Sequence, residues 1–230
     1  MTSFPSTLSK RLGQLSTFIK HDAGIIGETT FGKFNVSIYS SSLFRITITN
    51  QKQFEDFSYS VIDKPKSTSL EIIDSIDSIL LKTESTQLII TKNPIRFSFQ
   101  TLEGSILNED DPLGTSWIGE QVTTYKKIQP GERFIGLGEK TGPLDRQGNA
   151  YLNWNSDAYA YNKGTDPLYC SMPFYMGIHN GLCYGIFFDN THKAHFNFGA
   201  SNNRFSSFAA DAGEMDYYLI HGNNVSEIIK

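Results

Sequence analysis

Apolar and polar residues alternate with a period of two along much of the first half of the chain. Phe34, Val36 and Ile38 alternate with Asn35, Ser37 and Tyr39, and the same pattern recurs at residues 44–48 and 95–99. Successive side chains of a β-strand point to opposite faces of its sheet, so each stretch places one apolar row against a core and one polar row toward water. The pattern predicts antiparallel strands that are buried on one face.

Further short strands are predicted between turn-rich breaks, at residues 57–62, 69–73, 77–82, 86–92, 121–128 and 133–137. The chain contains 17 phenylalanines, and 13% of its residues are aromatic. Such large rings suit a thick core between two sheets. The sequence therefore predicts an all-β fold in which two antiparallel sheets pack face to face as a β-sandwich.

The last seven residues, 224–230, are typical of a capped helix start, with Asn224 or Ser226 as the cap. A helix of two turns is unstable by itself. We therefore expect the chain to be part of a longer polypeptide; a frayed natural C-terminus is the alternative. No internal repeat and no low-complexity linker interrupts the sequence, which predicts one domain over residues 1–230.

A long central stretch, residues 140–169, lacks strand alternation and is rich in Gly, Asn, Asp, Tyr and Trp. A loop of this length in a compact domain is usually functional or disordered. Its aromatic content argues against disorder, because such rings normally cover something. Sugar sites combine ring faces with Asp, Asn and Arg side chains in this way. The alternative is an Ω-loop whose rings simply pack on the sandwich.

Charge and cysteine content narrow the class of protein. The net charge is −4, and the 20 Lys and Arg residues are not clustered, which argues against a nucleic-acid partner. The sequence contains no run of 18 apolar residues, so it predicts no membrane-spanning helix. Residues 1–20 lack the apolar stretch of a signal peptide, which favours a cytoplasmic location unless a leader has been removed. Cys170 and Cys183 are predicted to be reduced thiols, with a single disulfide as the alternative.

Several kinds of catalytic or ligand site are not supported by the motifs present. Gly-Leu-Gly-Glu-Lys at residues 136–140 lacks the spacing of a phosphate-binding loop. His192 and His195 fall in a strand-like context, which sends them to opposite faces, so no metal site is expected. No serine lies in a Gly-x-Ser-x-Gly context. The sequence predicts neither a metal nor another cofactor.

Six segments in the second half of the chain resemble the N-terminal domain of glycoside hydrolase family 31. They occur in the order and at the approximate spacing of that family, whereas residues 14–128 match it only in strand pattern. The segments are residues 136–146, 154–158, 165–169, 173–175, 184–191 and 215–222.

This resemblance implies a galactose-mutarotase-like β-sandwich lying against a (β/α)8 barrel of the same polypeptide. In that family the barrel carries both catalytic aspartates of a retaining mechanism. The present chain contains no nucleophile block of the family's kind, so no catalytic residue is expected in it. The implied substrate is an α-glucoside or oligosaccharide, and the family also includes α-xylosidases and related transferases.

The resemblance also implies that the loop at about 140–169 forms part of the active-site rim. Asp157 takes the position that reaches a sugar hydroxyl, and Trp154, Asn155 and Tyr161 are expected to support the loop or line the pocket. The alternative for Asp157 is an Asx-turn anchor that holds the loop's own backbone.

Three other functions compete with this interpretation. A stand-alone carbohydrate-binding module predicts sugar affinity without a partner domain. A mutarotase-like epimerase needs a histidine and a carboxylate placed together, and His179, His192, His195 and His221 are available with Glu214. A purely structural domain that buttresses the barrel is the third.

Overall fold

The computed structural model describes residues 9–66 and 69–230. Residues 1–8, on which part of the signal-peptide prediction rests, lie outside the described residues. Within the described ranges the chain forms 18 strands and one short helix. They are β1 (Lys10–Arg11), β2 (Leu15–His21), β3 (Gly24–Thr29), β4 (Gly32–Ser40), β5 (Leu43–Thr49), β6 (Glu71–Asp74), β7 (Ser78–Lys82), β8 (Thr86–Lys92), β9 (Ile95–Thr101), β10 (Ile106–Ile118), β11 (Gln121–Lys127), β12 (Arg133–Gly138), β13 (Ala150–Asn153), β14 (Ser171–His179), β15 (Leu182–Phe188), β16 (Ala194–Phe198), β17 (Phe205–Ala210), β18 (Met215–Gly222) and α1 (Val225–Ile229).

The strands form two antiparallel sheets. In the described residues the large sheet has the order β13-β16-β17-β11-β10-β9-β8-β7-β6, with β1 paired to β10. The small sheet has the order β12-β14-β15-β18-β5-β4-β3-β2. Strands from both sheets contribute side chains to one buried apolar cluster. This arrangement confirms the predicted all-β sandwich.

The predicted apolar rows supply the contacts between the sheets. Phe34 of β4 meets Phe97 of β9 edge to face, with ring centroids 5.4 Å apart. Phe44 of β5 meets Phe99 of β9 in the same way at 5.7 Å. Each such pair contributes about 0.5–1.5 kcal/mol beyond the burial of its rings. The core is therefore built by the alternation that the sequence shows.

The prediction of a strand at residues 57–62 is wrong. Phe57, Tyr59 and Ile62 are 63, 78 and 95% exposed, and residues 50–66 join neither sheet. The hydroxyl of Ser58 accepts hydrogen bonds from the backbone N–H groups of Ser60 and Val61. Such local side-chain bonds compete with the ladder of a sheet, and no neighbouring strand offers a replacement.

Helix α1 begins where the sequence predicts. Of the two cap candidates, Asn224 is the N-cap, and its side chain accepts a hydrogen bond from the backbone N–H of Glu227. Ile228 is buried with Met176 and Cys183 of the small sheet. No helix in residues 9–66 and 69–230 is long and apolar enough to cross a membrane.

Both cysteines are free, as predicted, with Cys183 buried and Cys170 half-buried.

Candidate functional site

A cleft of about 410 Å³ opens where the long central loop meets the ends of four strands. One wall is the end of β13 with the two residues after it, and the opposite wall is the turn that follows β15. The starts of β14 and β16 complete the cleft, and Ser60 of the 50–66 loop lies on its rim. The lining residues are Ser60, Asn153, Trp154, Asn155, Ser171, Pro173, Phe187, Phe188, Asp189, Asn190, Thr191, His192 and Ala194.

Two buried acceptor oxygens without partners lie in the walls of this cleft. The Nδ2 of Asn153 donates to the carbonyl of Met172 at 2.9 Å, whereas its Oδ1 has no hydrogen-bond partner among the described residues. The Oδ2 of Asp189 is likewise buried and unpartnered there. Buried polar atoms are normally hydrogen-bonded. Both oxygens are enclosed in the cleft wall, so a donor such as a hydroxyl group reaches them only when neighbouring side chains move.

Trp154 forms the aromatic part of the cleft and is 47% exposed. The Nζ of Lys193 lies 5.5 Å from the centroid of its indole ring, a cation–π distance that favours one ring orientation. The next residue, Asn155, accepts a hydrogen bond from the backbone N–H of Ser171 at 2.8 Å. The tryptophan thus lies between Lys193, in the turn before β16, and Asn155, which is bonded to the start of β14, and it still presents ring surface to solvent.

A buried ion pair fixes the long loop that follows β12. The fully buried Nζ of Lys140 lies 2.8 Å from Oδ1 of Asp166 and donates to the carbonyl of Leu152 at 2.7 Å. The Oδ2 of Asp166 accepts the backbone N–H of Leu152. Burial lowers the pKa of Lys140, and the carboxylate of Asp166 opposes that shift. The pair joins both ends of the loop to β13.

The outer part of this loop carries exposed aromatic rings. Tyr159 is 92% exposed. Tyr161 and Tyr169 meet edge to face with centroids 6.2 Å apart, and the hydroxyl of Tyr169 donates to the carbonyl of Ala158 at 2.8 Å. The loop is therefore ordered by its own contacts, yet it leaves much ring surface uncovered. Tyr151 packs on the core of the sandwich as an Ω-loop predicts, whereas these outer rings do not.

A second, smaller cavity of about 70 Å³ adjoins the cleft, and we call it the acidic notch. The two cavities share residues 189–192. The notch is lined by Glu55, Phe57, Tyr59, Asp189, Asn190, Thr191, His192, Gly213, Glu214 and Asp216.

The carboxylates around the notch outnumber the cations. Arg45 donates to Asp216, with NH2 and Oδ2 2.6 Å apart, and its NH1 donates to Asp56 at 2.8 Å. Glu214 is only 8% exposed, and its Oε1 has no partner among the described residues. Burial raises the pKa of Glu214 to about 7, and the charges of Asp216 and Glu55 add to this shift. The backbone N–H of Glu55 and the hydroxyl of Thr49 act in the opposite direction.

Comparison with known proteins identifies the fold family. Residues 33–197 match the family model described as the glycosyl hydrolase 31 N-terminal galactose mutarotase-like domain. The match covers more than half of the chain. The chain belongs to this family.

Two relatives extend the similarity of this glycosyl hydrolase 31 (GH31) domain over nearly its whole length. Alpha-glucosidase 2 of Bacillus thermoamyloliquefaciens is 28% identical over 222 residues, which is 95% of the present chain. The GH31 dextranase of Flavobacterium johnsoniae, solved in complex with isomaltotriose, is 30% identical over 96% of the chain with a TM-score of 0.87. The chain spans 28% of the length of each of them.

A third relative matches a shorter part of the GH31 domain. The alpha-glucosidase of Saccharolobus solfataricus is 32% identical over 112 residues, which is 49% of this chain and 16% of the relative.

The structure divides the four predicted site residues of the GH31 domain into two pairs. Trp154 and Asn155 line the cleft, whereas Asp157 and Tyr161 do not. Asp157 and Tyr161 lie exposed on the long loop, outside the cleft. The carboxylate of Asp157 makes no hydrogen bond to any described residue, so it does not anchor an Asx-turn.

Sequence reasoning missed most of the cleft and the notch. Asn153, Asp189 and Ser60 come from three distant parts of the chain, and no local motif joins them. From the sequence alone, Glu214 is a candidate only as a partner for histidines. One signal was available: Glu214 and Asp216 stand two residues apart at the start of a strongly apolar strand, where ionised side chains are rare.

The epimerase alternative paired Glu214 of this GH31 domain with a histidine. No histidine makes a hydrogen bond to Glu214 in the described residues. His195 lies 2.8 Å from Asp211, His221 lies 2.8 Å from the hydroxyl of Thr86, and His179 bonds the carbonyl of Leu107 at 2.9 Å. In residues 9–66 and 69–230, no three His, Cys, Asp or Glu side chains form a group that could hold a metal ion.

Proposed function

We propose that this GH31 domain is the non-catalytic β-sandwich that precedes a (β/α)8 catalytic barrel in an α-glucosidase-type glycosidase. The domain packs on the barrel, and its loop at about 140–169 forms part of the active-site rim. The observation that carries this proposal is the loop itself: the Lys140–Asp166 pair holds it in one conformation while its aromatic rings stay uncovered. An exposed apolar surface of this kind is typical of an interaction site.

The relatives support both the partner and the substrate class. Two are alpha-glucosidases, and the solved one is a dextranase in complex with isomaltotriose. The two that align with nearly the whole chain are more than three times as long as it is, which leaves room for a catalytic barrel. We therefore propose an oligosaccharide of α-linked glucose as the substrate of the whole enzyme.

Within the rim, Asp157 is the residue that meets the sugar. Its carboxylate has no partner in the domain, so its oxygens are free to accept hydrogen bonds from sugar hydroxyls. A charge-assisted bond of this kind contributes about 1.5–3 kcal/mol. Trp154 offers a ring face in the cleft, Asn155 holds the backbone at Ser171, and Tyr161 supports the outer turn of the loop.

The test is Asp157→Ala in the product of the complete reading frame. We expect kcat/KM on isomaltose to fall about ten- to a hundredfold, the equivalent of one such hydrogen bond, while the melting temperature stays within 1–2 °C. Glu120→Gln, in an exposed hairpin turn of the sandwich, is the matched control and should keep wild-type kinetics. A variant that melts early but has normal kinetics per folded molecule contradicts the role of Asp157.

The 230-residue chain alone should not hydrolyse any glycoside, because the family resemblance assigns both catalytic carboxylates to the barrel. Turnover by the pure chain that is abolished by changing one of its own carboxylates overturns the proposal. A cytoplasmic location stays a prediction, which fractionation of the source cells tests.

The cleft favours a second candidate function, a carbohydrate-binding module. It combines the exposed face of Trp154 with the polar side chains of Asn155, Thr191 and His192. This function predicts that the isolated chain binds isomaltotriose in a calorimetric titration and that Trp154→Ala removes the binding. Absence of heat at millimolar sugar excludes it.

A further inference from the structure

One segment, residues 55–60, borders both cavities of the candidate site. Ser60 lies on the rim of the cleft, and Glu55, Phe57 and Tyr59 line the acidic notch. Movement of this segment therefore uncovers Glu214 and reshapes the cleft at the same time.

Few bonds hold the segment in place. Residues 51–65 pair with no strand, and the first backbone bond to the sandwich after them runs from the N–H of Lys66 to the carbonyl of Ile38 at 2.9 Å. Its anchors to the sandwich are the ion pair from Arg45 to Asp56 and the hydrogen bond from the backbone N–H of Glu55 to the carboxyl group of Glu214, which offsets only part of the effect of burial on Glu214. Segments with few buried contacts and few backbone bonds open first in a folded protein.

The opposite wall of the notch is fixed more firmly. The Nδ2 of Asn190 donates to the carbonyls of Ala212 and Glu214 at 3.0 and 2.9 Å. A side chain at Gly213, where φ is +85°, would press on Asn190 and His192, so this turn fits closely against its neighbours. If one wall of the notch moves, it is the 55–60 segment.

The groups around Glu214 leave its negative charge without a cation. The segment contributes Glu55 and Asp56, the turns after β15 contribute Asp189 and His192, and β18 contributes Asp216. The one arginine, Arg45 on β5, is bonded to Asp216 and Asp56. A buried carboxylate without a paired cation is strongly disfavoured, and protonation removes the cost.

We propose that Glu214 is a proton-controlled latch for the 55–60 segment. With the carboxyl group protonated, the segment lies closed over the notch and forms part of the cleft rim. When the carboxyl group releases its proton to water, the unpaired charge is solvated by opening of the segment, and the cleft loses that rim. The raised pKa of Glu214 supports this mechanism and places the transition near neutral pH. The consequence for the cleft rests on the proposed function; the latch itself does not.

Hydrogen exchange of the 230-residue chain tests the latch without any substrate. We expect the protection of amides 55–60, corrected for intrinsic exchange rates, to fall about tenfold between pH 6 and pH 8.5. Linkage gives this factor for a carboxyl group whose pKa is about 7 when the segment is closed and about 4.5 when the segment is open. In Glu214→Gln, which cannot ionise, protection should stay within twofold over that range. Glu120→Gln should behave as the wild type does.

A second variant keeps the test independent of whether Glu214→Gln folds. Asp56→Asn removes the anchor to Arg45, so protection of the segment should fall at every pH while its pH dependence remains. Protection that does not change with pH in the wild type, or an unchanged pH dependence in Glu214→Gln, overturns the latch. An inactive full-length enzyme with normal exchange behaviour contradicts the proposed function and leaves the latch intact.

Discussion

Two long loops border the cleft, and they are held in opposite ways. The loop between β12 and β14 is joined to β13 by the buried Lys140–Asp166 pair, whose partners also bond the backbone of Leu152. The 50–66 loop has one exposed ion pair to Arg45 and lies above an unpaired buried carboxyl group. One wall of the cleft is thus fixed by the long loop, whereas the rim at Ser60 belongs to a loop that few bonds hold.

The difference shows how a sandwich can position a site on loops. A buried ion pair contributes little net stability, but breaking it is costly, because the remaining partner is left in a poorly solvated position. Such a pair therefore fixes a conformation. A buried carboxylic acid without a paired cation instead favours opening, since its ionised form is more stable in any state that exposes it to water. Three changes test this contrast, from the largest expected effect to the smallest.

Lys140→Met should have the largest effect. It leaves the half-buried Asp166 without its cation, and we expect the free energy of unfolding to fall by about 3 kcal/mol, at the lower end for a broken buried pair because Asp166 is partly solvated. Urea denaturation measures the change. Lys163→Met, an exposed lysine of the same loop, is the control and should lie within about 0.5 kcal/mol of the wild type. Equal stability of the two variants would show that the pair does not fix the wall.

Glu214 should make stability depend on pH by a smaller amount. Its pKa in the folded chain is raised from 4.5 to about 7, so its favourable contribution is fully present below pH 4.5 and is lost as pH rises to about 7. We expect a loss of about 2 kcal/mol over this window in the wild type. Glu214→Gln should lack this loss and should be the more stable protein at pH 8. A wild type whose stability rises from pH 5 to pH 8 relative to Glu214→Gln contradicts the assignment.

Tyr169→Phe should have the smallest effect. It removes the hydrogen bond from the tyrosine hydroxyl to the carbonyl of Ala158 near the loop surface, where water can replace it. We expect a loss of about 0.5 kcal/mol and faster cleavage of the loop by a protease, with the cleft side unaffected. Cleavage at the 50–66 loop in the same digest provides an internal standard. Unchanged cleavage at the long loop would mean that the Lys140–Asp166 pair alone orders it.

The sandwich could be predicted from the sequence because the alternation of apolar and polar residues is contained within each strand. In β4, β5 and β9 the apolar residues alternate within each strand, and the same residues meet across the core. The strand prediction at residues 57–62 failed because a strand also needs a neighbouring strand, and none of the described strands lies beside that segment. The reverse error occurred at β13: its four residues lie within a predicted loop and pair with residues 194–197, more than forty positions away.

The site was less predictable for a related reason. Trp154 and Asn155 line the cleft as expected, since the long loop brings them there as one unit. The two buried acceptors belong to Asn153 and Asp189, which meet only because β13 and β15 end at the same side of the sandwich. The ionisation of Glu214 depends on Asp216 and on a loop 160 residues earlier in the chain. Such convergence leaves no periodic or spacing signal.

The burial of Cys183 beneath Ile228 has a practical consequence. Its thiol donates to the carbonyl of Gly222, and burial raises its pKa, so it should react slowly with alkylating reagents while α1 stays docked on the small sheet. Cys170 is half-buried at the end of the long loop. The chain thus contains two natural chemical reporters at separate places. The rate at which each sulfur is labelled distinguishes detachment of the C-terminal helix from loosening of the cleft wall, without any introduced probe.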